Sequence, residues 1–202
     1  MTQLGRPVGA DSEETRRRII TAAMRCVAEV GYSQATIREI ARTAEMTSGS
    51  LYHYFPNKSE LLTATGEEIE AIVAPRLRAA AARHESAFDR LDAVLDESTR
   101  LVRDHPYLTG FLRALRAAGT TGSPGSKALH DVVFQIVDDA CRHGTLSGET
   151  DTRSTVEAIC ALTRGLSEQA DSLAPQTYQA ALVSAKRLIR GTLFTQRVAE
   201  RP

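Results

Sequence analysis

Residues 36–55 read TIREIARTAEMTSGSLYHYF, and the spacing of their apolar and hydroxyl side chains decides the fold. Thr36 stands at a helix N-cap position with Glu39 three places on, the pattern of a reciprocal capping box. Ile37, Ile40 and Ala41 follow at helical spacing, and the pattern ends near Ala44. After a short turn, Thr47 caps a second helix of about two turns that runs through Leu51 to Tyr54. Helices this short cannot hold themselves together or bury a core alone. Their partner is the preceding segment. Ser12 reads as its N-cap, with Glu13 and Glu14 in the first turn. Ile19, Ile20, Ala23, Met24, Val27 and Ala28 then form one apolar stripe, which Gly31 stops. Packing Ile20, Met24 and Val27 against Ile40, Leu51 and Phe55 makes a three-helix unit. It is a helix-turn-helix, whose second short helix is shaped to enter the major groove of a duplex.

The side chains left outside that core suit the same reading. Thr47, Ser48, Gly49 and Ser50 are small and hydroxyl-rich, so the backbone can come close to a duplex. Their hydroxyls can donate to phosphate or to base edges, and the Thr47 methyl can press on thymine. Tyr52, His53 and Tyr54 follow, and Lys58 opens the next helix as a point charge for phosphate. The chain as a whole has 25 basic and 25 acidic residues, but the balance hides a segregation. Thr15 to Lys58 holds seven basic residues (Arg16, Arg17, Arg18, Arg25, Arg38, Arg42, Lys58) against three acids (Glu29, Glu39, Glu45). A small polyanion-binding module on a larger, non-binding body shows such asymmetry. A capped helical hairpin with no ligand is the plainer alternative.

The run from Thr36 to Leu62, T-I-R-E-I-A-x-x-A-x-M-T-x-G-S-L-Y-H-Y-F-P-N-K-x-E-L-L, resembles the DNA-binding signature of tetracycline-repressor (TetR) family regulators. The RRIITAA run at 17–23 and Gly31 agree, so the resemblance covers about residues 13–65. It implies a homodimer of all-helical subunits, each with an N-terminal DNA-binding domain and a C-terminal ligand-binding and dimerisation domain. It also implies a repressor of transcription, released from operator DNA by a small molecule. Transferred residue by residue, Thr36 caps its helix and touches phosphate, while Thr47, Ser48 and Ser50 face base edges or phosphate beside Gly49. Tyr52 and His53 lean on the phosphate backbone or on thymine methyls, Lys58 holds a phosphate, and Phe55 belongs to the core. One position departs from the pattern. Glu45 occupies the turn site usually taken by glycine, where a left-handed backbone costs about 1 kcal/mol more than glycine would and adds a negative charge near the DNA.

The rest of the chain is also helical in pattern, giving an all-α protein with expected domains at 12–60 and 61–202. Asn57 or Ser59 can cap a long fourth helix that Pro75 is expected to kink or interrupt. Further helices are expected at about 87–104, 106–118 (with Pro106 at its first position), 127–143, 152–172 and 176–197. GTTGSPGS at 119–126 reads as a loop. Phe88, Tyr107, Phe111, Leu115 and Phe134 would line an apolar effector cavity if the middle helices enclose one, with Arg113 or His130 as a polar anchor. Ordinary core packing explains the same residues. In the last two helices Ala158, Ala161, Gly165, Ala180, Ala181 and Ala185 alternate with Ile159, Leu162, Leu166, Leu182, Leu188 and Ile189. That pattern suits a homodimeric four-helix interface, or packing within one chain.

Several classes are disfavoured. No apolar run approaches a membrane span, and the polar start has no signal-peptide core, so a cytoplasmic protein is expected. Cys26, Cys141 and Cys160 are odd in number and widely spaced, which argues against a disulfide framework. Cys26 and Cys160 read as buried, inert thiols rather than a redox switch. Only Cys141 and His143 are close enough to suggest metal ligands, and residues two apart do not share a helix face. No nucleophile elbow, phosphate-binding loop or zinc-protease motif is present, so neither an enzyme nor a cofactor is expected. A helical adaptor that binds protein or RNA remains as the alternative to a DNA-binding regulator.

Overall fold

A computed structural model of the chain describes residues 8–119, 125–146, 151–170 and 172–191. Their regular elements are all helices: α1 (Val8–Val30), α2 (Ile37–Thr43), α3 (Ser48–Tyr52), α4 (Lys58–Ala81), α5 (Ala87–Asp104), α6 (Leu108–Ala117), α7 (Ser126–Arg142), α8 (Thr152–Gln169) and α9 (Pro175–Ile189). None is long and apolar enough to cross a membrane. Contacts divide the chain into two compact units, the division falling inside α4 between Val73 and Ala74.

The first unit takes the chain up to Val73 together with His105–Lys127. Within it α1 packs on α2 and on α6, and α2 on α3. Ile19, Ala23, Val27, Ile40 and Leu51 are fully sealed, and Phe55 is 4% exposed. This is the three-helix core that the apolar periodicity predicts. Gly31 ends α1 with φ at +86°, its N–H donating to the Val27 carbonyl at 2.9 Å. Where α6 crosses α1, a Cβ on Gly110 would stand 2.9 Å from that of Ala28. Only glycine allows the two helices to meet that closely. The expected boundary after residue 60 therefore differs from the observed grouping, because α6 belongs with α1.

The second unit comprises Ala74–Asp104 and the chain from Ala128 onward. Here α5 packs against α8 and α9, which also pack on each other. Leu95, Leu166, Leu182 and Ala185 form the centre of that packing. Thr99 Oγ1 and Tyr178 Oη share a hydrogen bond of 3.0 Å. Ion pairs close the seams: Arg76 reaches Glu97 at 2.6 Å and Asp104 at 2.9 Å, and Arg90 reaches Asp139 at 2.9 Å. Lys186 pairs with Asp96, and Arg190 with Asp89 and Asp92.

Local signals misplace three helix ends. Ser12 lies inside α1, which begins at Val8, so it is no N-cap. Glu13 and Glu14 still sit in the early turns, where the helix dipole favours acids. Pro106 precedes α6 by two residues; it shapes a turn in which the Leu108 N–H donates to the His105 carbonyl at 3.0 Å. Pro75 does not interrupt α4, which continues through it to Ala81. Most of the loop expected at 119–126 and the last residues expected in α9 lie outside the described residues.

Candidate nucleic-acid interface

Local hydrogen bonds set the position of every side chain in the helix-turn-helix. Thr36 and Glu39 form the full capping box of α2: Thr36 Oγ1 accepts from the Glu39 N–H at 3.2 Å, and the Thr36 N–H donates to Glu39 Oε2 at 3.0 Å. The Thr36 hydroxyl also donates to that carboxylate at 3.0 Å, so its proton is already used. Thr47 caps α3, accepting from the Ser50 N–H at 3.1 Å, and its Oγ1 lies 2.9 Å from Ser50 Oγ. Asn57 rather than Ser59 caps α4, with Asn57 Oδ1 accepting from the Glu60 N–H at 2.9 Å. Leu51 and Phe55 anchor α3 from beneath. That anchoring leaves Gly49, Ser50, Tyr52 and His53 exposed and Ser48 half-buried, with Tyr52 51% exposed.

Gly49 has no structural need to be glycine. A Cβ there would meet only Thr47 Oγ1, at 3.8 Å, and its φ is not left-handed. A glycine inside a helix costs about 0.5–1 kcal/mol relative to alanine. Its bare backbone is therefore available to something outside the chain.

Lys58 departs from expectation. Its Nζ donates to the Tyr32 carbonyl and lies 4.8 Å from the centroid of the Tyr32 ring. It ties the start of α4 to the loop after α1, leaving only its remaining donors for a phosphate. Arg16 lies over the Phe55 ring at 5.4 Å, and Arg25 pairs with Glu29 at 2.9 Å. Arg38 and Arg42, one turn apart on α2, are exposed and have no ion-pair partner among the described residues. The charge count included them, but motif reading did not single them out.

The residues expected to line one effector cavity are dispersed. Phe111 and Leu115 are core of the first unit, Arg113 is exposed, and Tyr107 is half-buried with the Arg25 guanidinium 5.7 Å from its ring. In the second unit His130 and Phe134 stack on the outer side of α7, their ring centroids 6.4 Å apart, with Phe134 46% exposed. Only Phe88 of the set lines a cavity of that unit, about 460 Å³ in volume. Its walls include Leu91 of α5, Ile136 and Ala140 of α7, and Ile159 of α8, with the Arg90–Asp139 pair beside them. Cys26 and Cys160 are buried as expected, and burial pushes the Cys160 thiol up to about 11.

A three-helix core with an exposed, hydroxyl-bearing third helix defines a helix-turn-helix DNA-binding protein. The sequence profile of the bacterial regulatory proteins, tetR family, matches residues 19–65. The chain is 35% identical over 144 residues to the HTH-type transcriptional repressor KstR of Mycolicibacterium smegmatis, covering 70% of this chain and 69% of that protein. KstR of Mycobacterium tuberculosis is 30% identical over 144 residues, covering 70% of this chain and 64%, less than two thirds, of that protein. Among solved structures, the transcriptional regulator FadR from Bacillus subtilis in complex with stearoyl-CoA has a TM-score of 0.74 at 20% identity, over 88% of this chain and 99% of that one. The chain belongs to the TetR family of bacterial transcriptional regulators.

Proposed function

We propose that this protein is a transcriptional repressor that binds an operator duplex as a homodimer and leaves it when a small, mainly apolar effector binds. The exposure of α3 and its C-cap carries the DNA reading: Gly49, Ser50, Tyr52 and His53 are exposed and Ser48 half-buried, while Leu51 and Phe55 fix the helix from within. Ser48 and Ser50 face base edges or phosphate beside Gly49, and Tyr52 and His53 lean on the phosphate backbone or thymine methyls. Thr36 fixes the start of α2 with both its donors held by Glu39, Thr47 faces base edges or phosphate at the start of α3, and Lys58 turns its remaining donors to phosphate, with Arg38 and Arg42 adding charge from α2. The DNA-reading head lies within residues 12–60, and effector binding and dimerisation within 61–202.

Homodimer formation is supported by apolar surface on the last two helices. Ala158, Ala161 and Gly165 form an exposed stripe of small residues on α8, and a Cβ on Gly165 would meet nothing within 4 Å. On α9, Ala180, Val183 and Leu188 are exposed, the last two at 43% and 48%. A two-fold axis places the same faces of two copies together. The apolar cavity of the second unit supports the effector class, since its size lies within the range of small-molecule sites.

The test is an anisotropy titration of a labelled duplex taken from upstream of the protein's own coding region. A random duplex and a duplex RNA serve as competitors. The proposal expects the upstream duplex to resist the random competitor by about 10³-fold or more and to ignore the RNA. Equal displacement by random DNA, or preferential binding of RNA, would overturn it in favour of a non-specific or RNA-binding protein.

A further inference from the structure

Glu45 is the one non-glycine among the described residues with a left-handed backbone, its φ at +56°. Two hydrogen bonds impose that conformation at the end of α2. The Glu45 N–H donates to the Arg42 carbonyl at 3.1 Å, and the Met46 N–H to the Ala41 carbonyl at 3.0 Å. This pairing is a Schellman motif, whose left-handed position glycine fills without strain. A glutamate there carries a second disadvantage, because the last carbonyls of a helix already concentrate partial negative charge. Its side chain is exposed and has no hydrogen-bond or ion-pair partner among the described residues. Nothing among the described residues offsets either disadvantage. Thr47 follows two residues later, so no more than about 7 Å of chain separates Glu45 from the exposed start of α3.

We propose that Glu45 is an electrostatic brake on DNA binding, a charge held beside the recognition helix that lowers affinity for any duplex. The inference rests on the DNA-binding reading above. Duplex affinity is dominated by neutralised phosphates, and a carboxylate within a Debye length of them, about 10 Å at 0.1 M salt, subtracts from that gain. Such a charge does not read bases. It weakens operator and random DNA by the same factor, and salt screens it. A dimer carries two brakes, which hold down occupancy of random DNA and bring operator affinity into the range that an effector can reverse.

Glu45→Gln removes the charge and keeps the strained backbone, whereas Glu45→Gly removes both. Each is titrated by anisotropy against the upstream duplex and a random duplex of about 30 base pairs, at about 50 mM and about 200 mM salt, and melted without DNA. Glu45→Gln is expected to tighten both duplexes by one common factor, roughly three- to tenfold at the lower salt, shrinking at the higher. Its melting temperature should rise by only about 1 °C, the gain from removing a like charge at the helix end. Glu45→Gly should tighten binding to the same extent and melt roughly 2–4 °C higher. Unchanged affinity in Glu45→Gln overturns the brake, and so does tightening of one duplex alone, which would make the side chain a base reader. If neither wild type nor Glu45→Gln binds any duplex, the DNA-binding reading falls and the brake falls with it. Binding by Glu45→Gln alone supports both.

Discussion

Gly49 and Lys58 show how differently a residue's role can be reached. At Gly49 the space around the missing Cβ is open, so alanine gains helix propensity and loses nothing within the chain. Gly49→Ala is expected to stabilise the protein by about 0.5–1 kcal/mol in thermal melts, while weakening operator binding at least tenfold by holding the duplex off α3. Unchanged DNA affinity would make Gly49 an ordinary surface residue. Lys58 has a structural role beside the phosphate contact proposed for it. Lys58→Ala is expected to lower stability by about 1–2 kcal/mol through the lost bond to Tyr32, and to weaken operator and random DNA equally with a shallower salt slope. The first role was invisible in the sequence, because Tyr32 stands 26 residues away and nothing local marks the pair. The caps were legible for the opposite reason: Thr36 with Glu39 and Thr47 with Ser50 settle their bonds within four residues.

At the scale of elements, periodicity gave the helices and their inward faces, and long-range packing decided what it could not. The stripe from Ile19 to Val27 faces the core because apolar residues at helical spacing share one side whatever lies opposite. The docking of α6 on α1 depends on Gly110 meeting Ala28, a pairing no sequence window contains. Gly110→Ala is expected to destabilise the protein by about 1–2 kcal/mol, since overpacking outweighs the helix propensity gained. Adding Ala28→Gly should recover much of the packing loss if the two helices touch there, and calorimetry on the four combinations reads the coupling. The cavity proposed for an effector was the least legible element. Its walls come from α5, α7, α8 and the end of α9, and of the expected aromatic residues only Phe88 lies on them, the others being core or surface. Pro75 leaves α4 one backbone bond short, next to the place where the two units divide. Pro75→Ala is expected to raise the melting temperature and to alter release by an effector more than it alters DNA affinity without one. Collapse of that affinity with unchanged release would make Pro75 a folding residue.

For the whole molecule, the proposed homodimer sets two DNA-reading heads about a two-fold axis. Ala161 is exposed on α8, so Ala161→Glu should leave the monomer's melt nearly unchanged. Across a two-fold face the same change sets like charges against an apolar surface. Sedimentation equilibrium should then show the variant as a monomer at concentrations where wild type is a dimer, with operator affinity falling in parallel. The charge segregation of the sequence belongs to this scale as well: the basic excess lies between Thr15 and Lys58, the stretch that contains α2 and α3. The measurement that bears most directly on the central claim is a DNase I footprint on the DNA upstream of the protein's own coding region. Two reading heads related by a two-fold axis should protect a pseudo-palindromic site, its half-sites about 34–36 Å or a longer helical spacing apart, and Gly49→Ala should need at least about tenfold more protein for the same protection. Protection without internal symmetry, or no protection at all, would contradict this reading.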